Sequence, residues 1–195
     1  MSDFPVYIHA CGSHSALGKE IADIHQTLQG TKAPSMRVED GWLNDGKSTV
    51  VGKAEGELPA VPSRLAAFDT RNNQLVLSAL QQIEDQIQQA KEKYGADRIA
   101  VVVGTSTSGI SDGEVALSAK LNSGEFSDGY HYHKQELGNP AEFIAEYLEL
   151  TGPTYAISTA CSSSGRVFLS AKRLLKSGFV DAVIVGGTDT LCKLT

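Results

Sequence analysis

One thiol in this chain stands where a sequence can turn it into a nucleophile. Cys161 lies in Tyr155-Ala-Ile-Ser-Thr-Ala-Cys161-Ser-Ser-Ser-Gly165, an apolar stretch that gives way to small residues and then to a helical pattern. A helix start leaves backbone N–H groups unpaired and carries partial positive charge, so a thiolate in its first turn is stabilised. The same N–H groups can hold an oxyanion developing on an attacked carbonyl. The competing reading is a small buried residue at a tight turn, since free cysteines are among the most buried side chains. The flanking Ser-Thr-Ala and Ser-Ser-Ser-Gly favour the nucleophile, because neighbours as small as Ala160 and Gly165 let backbone and a substrate approach closely. Cys11 and Cys192 read as core thiols.

The elements that must position Cys161 are legible from periodicity. Val6 to Ala10 reads as a short buried strand, and apolar residues at 17, 21, 24 and 28 have helical spacing. Residues 30 to 63 read as loop with a short hairpin around Thr49 to Lys53. Asp69 or Thr70 can cap one long helix whose apolar stripe runs through 75, 76, 79, 80, 83 and 87 and which Gly95 stops. Ile99 to Val103 is a β-branched run of the kind buried on both faces. Residues 111 to 138 are polar and dotted with glycine, and a helix resumes near Asn139-Pro140. Tyr155 to Ser158 is the strand into the thiol. Val167, Ala171, Leu174 and Leu175 give the next helix an apolar stripe that Phe168 and Leu169 widen, as expected of a helix packed inside a fold. Val180 to Val185 is a further buried strand. Strands alternating with helices predict an α/β layered domain with a mostly parallel sheet.

Bulk properties narrow the function classes. The 195 residues are 41% hydrophobic and 21% charged, which fits a globular domain with a sizeable core. A net charge of −6 and a pI near 5.3 argue against nucleic acid or an anionic membrane as partner. Three cysteines without a CxxC pair fit a reducing compartment, and there is neither a signal-peptide pattern nor a run near the roughly 20 apolar residues of a membrane span. Cytoplasm is the expected location. Gly104-Thr-Ser-Thr-Ser-Gly109 is neither a Walker loop nor a hydrolase elbow, because it lacks the following Gly-Lys and has no glycine at 108. His131-Tyr-His133 has the spacing of a metal pair but no third ligand nearby in sequence, so these are read as surface histidines and no metal is expected. His9 and His25 read as structural or exposed, and His14 as a turn residue.

The segment around Cys161 resembles the nucleophile segment of the beta-ketoacyl synthases, the thiolase-fold condensing enzymes that build fatty acids and polyketides. Val6-Tyr-Ile-His-Ala-Cys-Gly12, Ser15-Ala-Leu-Gly18, Phe68-Asp69, Val101-Val-Val-Gly104-Thr-Ser-Thr-Ser-Gly109 and Val180-Asp-Ala-Val-Ile-Val-Gly-Gly-Thr-Asp189 follow in the family's order. The resemblance implies an α/β thiolase-like fold with a mostly parallel five-stranded sheet and a buried helix after the nucleophile. Family members are about twice this length, with a catalytic histidine pair and a lysine in a second, homologous half. No histidine follows Cys161 here, so residues 1–195 are expected to be an N-terminal ketosynthase domain without its C-terminal half: a truncated chain, a split gene product, or one chain of a cleaved pair.

The resemblance implies an acyltransferase in which Cys161 takes an acyl group from the phosphopantetheine of an acyl carrier protein and condenses it with malonyl-carrier after decarboxylation. The chain alone is expected not to condense, and no cofactor of its own is implied. By the same resemblance Thr107 occupies the position of an apolar gate residue that swings to admit the acyl chain. Arg64 and Arg71 stand where relatives place basic residues that meet the acidic carrier. Residues 154 to 158 are the implied dimer strand, in a homodimer or in a heterodimer with a chain-length factor. The alternatives are a non-catalytic chain-length-factor-like subunit, which usually lacks the cysteine, and a thiolase or initiating synthase. Ser-Thr-Ala-Cys resembles bacterial elongating synthases and Cys-Ser-Ser-Ser the polyketide type, leaving pathway and acyl length open.

Overall fold

The hydrophobic run at 99–104 becomes the centre of the molecule. A computed structural model describes residues 5–127 and 129–194. In it β3 (Ile99–Gly104) is buried along its whole length, between β4 (Thr154–Ile157) and β5 (Ala182–Gly187), in the order β4-β3-β5 with every pairing parallel. Val103 pairs with Ala156 on one side and Gly186 on the other, so the three strands end together at one edge of the sheet. Parallel strands need crossovers, and these supply the layers. β1 (Met36–Glu39) and β2 (Thr49–Gly52) form a separate antiparallel hairpin.

Side chains alternate across β3, and each face has its own cover. Ile99, Val101 and Val103 join one core with Leu77 and Leu80 of α2 (Arg71–Leu80), Ile87 of α3 (Glu84–Tyr94), and Phe143 and Ile144 of α5 (Asn139–Leu148). Phe143 has no exposed surface, and burying such a side chain contributes about 3 kcal/mol. On the other face lies α6 (Ser163–Lys176), burying Val167 and Ala171, with the Tyr155 hydroxyl bonded to Ser170 Oγ at 2.5 Å. The remaining α-helices among the described residues are α1 (Ile21–Leu28) and α4 (Ile110–Ser123).

Several expectations are corrected. The sheet has three strands among the described residues, not five. Residues 6–10 form no strand: they pair with none of the three strands of the sheet and Tyr7 and Ile8 are exposed, while the chain just beyond them is held by Gln82, whose amide donates to Ser13 O at 2.9 Å and Lys19 O at 2.8 Å. Cys11, in that segment, is exposed rather than a core thiol, whereas Cys192 is buried. The single long helix after Thr70 is two, separated by a tight turn at Gln81–Ile83 where Ile83 leaves helical geometry at φ −127°, ψ 16°. α4 arises where only polar, glycine-dotted sequence was apparent. Its Val115 and Leu121 face outward, so no apolar stripe betrays it, and Gly113 is where Gln135 packs against it. α6 is covered on one side only, leaving Phe168 and Leu169 about half exposed.

The chain exposes 11345 Å², whereas a compact monomer of its 20.7 kDa exposes about 8,900 Å².

Candidate active site

Two glycines decide where α6 can start. A Cβ on Gly104, at the end of β3, would lie 2.5 Å from the Ser163 carbonyl carbon and 2.6 Å from the Ser164 nitrogen, and one on Gly187 would collide with the Ser164 hydroxyl. With hydrogen at both positions, the first turn of α6 rests directly on the ends of two neighbouring strands.

Chain entry into that helix is a tight turn. Ala160 adopts φ +50°, a left-handed conformation that opposes an L-residue by about 1 kcal/mol. Ser163, almost fully buried, holds it: its hydroxyl donates to Ala160 O at 2.7 Å and accepts from Thr159 N at 2.8 Å, while its own amide donates to Ala160 O at 3.1 Å. Ser162 N and Ser162 Oγ both bond to Thr159 O. Cys161 sits between these pinned residues and is exposed. It precedes the N-cap Ser162 by one residue, so it stands just ahead of the first turn rather than inside it. Gly165, read as a site of close approach, faces open space.

The loop after Gly104 is the second wall at this edge. A single oxygen, Asp189 Oδ1, accepts from Ser106 N at 2.8 Å, Thr107 N at 3.1 Å, Thr107 Oγ1 at 3.1 Å, Thr105 Oγ1 at 3.2 Å and Ser106 Oγ at 3.3 Å. Thr107 Oγ1 in turn accepts from Thr190 N at 3.0 Å. Thr107 is therefore buried and held on both sides, where the resemblance implied a side chain free to swing. Ser108, at φ +44°, donates its amide to Thr105 Oγ1 and its hydroxyl to Glu136 O. Gly109 abuts Lys134 O and the Thr70 methyl, which brings the start of α2 to this edge. Thr188 Oγ1 bonds to Asn72 Oδ1 at 2.8 Å and locks α2 to the end of β5.

The two arginines part company. Arg64 donates to Glu146 O at 3.2 Å and Tyr147 O at 3.1 Å, satisfying the last carbonyls of α5. Since α5 runs on into the start of β4, and Cys161 follows the end of β4, that strand separates Arg64 from the thiol. Arg71 is exposed at the first residue of α2, next to Thr70 and Asn72, which meet the edge where the strands end. His131 is exposed, while His133 is edge-on to Phe68 with Nδ1 2.7 Å from Glu136 and Nε2 3.4 Å from Glu142. His9 and His25 are exposed, and His14 bridges Ser78 Oγ and Glu55 O. Among the described residues no group of three His, Cys, Asp or Glu side chains is placed to hold a metal, and no helix is long and apolar enough to cross a membrane. Sequence reasoning missed Asp189 and Ser163. Both are ordinary polar residues whose importance arises only when parallel strands gather their ends.

Comparison with known proteins gives this edge a context. The chain is 46% identical, with a TM-score of 0.90 over 96% of its length, to a chain in the solved complex of a ketosynthase with its chain length factor from Xenorhabdus doucetiae, of which it covers 48%. A beta-ketoacyl synthase from Burkholderia phymatum shares the fold at a TM-score of 0.74 and 19% identity, over 95% of this chain and 47% of that one. Among sequences, a 3-oxoacyl-[acyl-carrier-protein] synthase I of Hordeum vulgare chloroplasts is 28% identical over 101 residues, 51% of this chain and 22% of the relative. A highly reducing polyketide synthase of Didymella fabae is 43% identical over 51 residues, 26% of this chain and 3% of the relative. The chain thus spans about half the length of these two solved structures and less of these two relatives. The family model for the beta-ketoacyl synthase N-terminal domain matches residues 4–194, and with the thiol turn and its glycine seat this places the chain in the beta-ketoacyl synthase family.

Proposed function

We propose that this chain is the nucleophile-bearing half of a beta-ketoacyl-[acyl-carrier-protein] synthase, a cytoplasmic acyltransferase of fatty-acid or polyketide assembly. The observation that carries the reading is the exposed Cys161 sulfur at the end of a parallel sheet, on a turn fixed by Ser163 and seated on Gly104 and Gly187. The Cys161 thiolate attacks the thioester carbonyl of an acyl group on carrier-bound phosphopantetheine. A new C–S bond forms, the pantetheine sulfur leaves as a thiol, and the acyl group stays on Cys161. Malonyl-carrier then loses carbon dioxide. Its enolate carbon attacks the acyl-Cys161 carbonyl, the C–S bond breaks, and the thiolate is regenerated as the chain grows by one malonyl-derived unit.

Acyl transfer onto the thiol is the step that the residues described here supply, and condensation draws on a further protein surface packed against them. The surface beyond that of a compact monomer, with Phe168, Leu169, Val115 and Leu121 outward, supports such a partner. β4 pairs only with β3 among the described residues, so its other edge is available for the dimer strand, in a homodimer or with a chain-length factor. For carrier docking, Arg71 is the stronger of the two arginines, because Arg64 is committed to α5. A chain-length-factor role is disfavoured by the cysteine itself.

Labelling with an electrophilic acyl-pantetheine analogue tests the assignment. Wild-type chain takes one label on the Cys161 peptide and Cys161→Ala takes none there. Equal labelling of the two proteins at other thiols only, Cys11 included, removes the nucleophile.

A further inference from the structure

The carboxylate of Asp189 does more than end a strand. Its Oδ1 gathers two backbone amides and three hydroxyls from Thr105, Ser106 and Thr107, all within 3.3 Å. Hydrogen bonds to an ionised acceptor are roughly twice as strong as those between neutral groups. Thr107 cannot rotate without giving up Asp189 Oδ1 and, at the same moment, leaving the amide of the buried Thr190 without its acceptor. Two residues before Asp189, Gly187 seats Ser164 in the first turn of α6. One strand end therefore supports the turn that carries the thiol and also locks the loop beside it.

We infer that Asp189 is a positioning residue that sets which acyl lengths reach Cys161, by holding the Thr105–Ser108 loop as a fixed wall in place of a swinging gate. The inference rests on the ketosynthase reading, in which that loop lines the acyl pocket. A side chain that swings admits long chains when it moves away. A threonine bolted to a carboxylate keeps one pocket depth, so the wild-type chain discriminates steeply among acyl lengths and a variant with a freed loop does not.

The test uses the full chain as wild type, Asp189→Ala and Asp189→Asn, with three readouts. Hydrogen–deuterium exchange follows the 105–108 segment. Mass spectrometry measures acylation of Cys161 by a series of saturated acyl-pantetheine thioesters from short to long. Iodoacetamide alkylation reports the intrinsic reactivity of the thiol. In Asp189→Ala, exchange rises in 105–108 and not across the chain, and the long-to-short acylation ratio moves by about tenfold. Alkylation by iodoacetamide changes less than about twofold, since that small reagent does not use the pocket. Asp189→Asn keeps an acceptor oxygen and returns the profile most of the way to wild type.

A wild-type length profile in Asp189→Ala despite faster loop exchange overturns the inference, and so does unchanged loop exchange. If Asp189→Ala exchanges fast throughout, the Asn variant decides: an altered profile with faster exchange only at 105–108 supports the inference, and a wild-type profile with that same faster exchange overturns it. Should wild-type Cys161 accept none of the thioesters while loop exchange still responds to Asp189→Ala, the ketosynthase reading has failed, and the specificity role falls with it.

Discussion

Two turns leave adjacent parallel strands at the same edge of the sheet, and they are built in opposite ways. The turn after β3 is buried, with Thr105, Thr107 and Ser108 showing almost no surface and their polar groups bonded to Asp189, Thr190 and Glu136. The turn after β4 exposes Thr159, Ala160, Cys161 and Ser162, and a single buried hydroxyl, that of Ser163, fastens it from below. Rigidity is concentrated in one turn and access in the other. A nucleophile needs both: an open approach for a carrier-borne thioester and a backbone that does not shift as the tetrahedral intermediate forms.

The contrast can be broken at its foundation. Gly104→Val forces a branched side chain into the backbone of Ser163 and Ser164, which cannot yield without lifting α6 off the sheet. The expected loss is at least about 3 kcal/mol in urea unfolding, and Cys161 alkylation becomes that of an unstructured thiol. Ser163→Ala removes the hydroxyl that both receives Thr159 N and donates to Ala160 O, and should lower stability by about 1 to 3 kcal/mol. Without that clasp Ala160 relaxes from its left-handed conformation, so thioester transfer to Cys161 slows more than iodoacetamide alkylation. Identical slowing of both reactions would mean the clasp merely preserves the fold. Gly165→Ala sharpens the contrast from the other side. Nothing lies within 4 Å of the added carbon, so the helix should gain about 0.5 to 1 kcal/mol from the better helix former. A loss of thioester transfer despite that gain would show that Gly165 is reserved for the approaching acyl chain.

How far these turns were legible differs for the same reason that they differ in structure. The β-branched run at 99–103, the cap at Thr70 and the small residues around Cys161 are local patterns, and each appears where its pattern requires. The thiol's exposure also follows from its neighbours being too small to cover it. What failed to show was assembled across the chain. Asp189 binds a loop more than 80 positions earlier, and no periodicity announces such a bond. α4 was hidden because a helix is recognised by a buried stripe, and its Val115 and Leu121 are turned outward. Residues 6–10 misled in the reverse sense: their short apolar run suits a buried strand, yet a strand exists only where it is paired, and these residues join no sheet of the described chain. Arg64 is another contact made across the chain: its guanidinium donates to the carbonyls of Glu146 and Tyr147, about 80 positions later, which nothing local in the sequence announces.

The opposite edge of the sheet offers a control that should leave the thiol untouched. Arg98, just before β3, donates to Asp181 Oδ2 at 2.7 Å, Phe179 O at 3.0 Å and Gly178 O at 3.0 Å, tying together the entries to β3 and β5. Its hydrogen bond and charge hold the Asp181 carboxyl below the ordinary aspartate value of 3.8. A carboxylate with a depressed pKa favours the folded state above its unfolded value, and that contribution disappears as pH falls through the folded one. Because the pair is substantially exposed, the effect is small and screened by salt. Asp112 acts with the opposite sign: burial pushes its carboxyl up, so its ionisation opposes folding at neutral pH, and acid relieves that opposition. Unfolding midpoints followed downward from neutral pH should therefore fall less steeply below about pH 4 in Asp181→Asn than in wild type. The acid dependence of Asp112→Asn should instead be steeper, because the compensating group is gone. Cys161 alkylation at neutral pH stays at the wild-type rate in both variants if the pinned edge and the reactive edge are energetically separate. A changed rate in Asp181→Asn would show that the clamp at the strand entries reaches through β5 to the seat of α6.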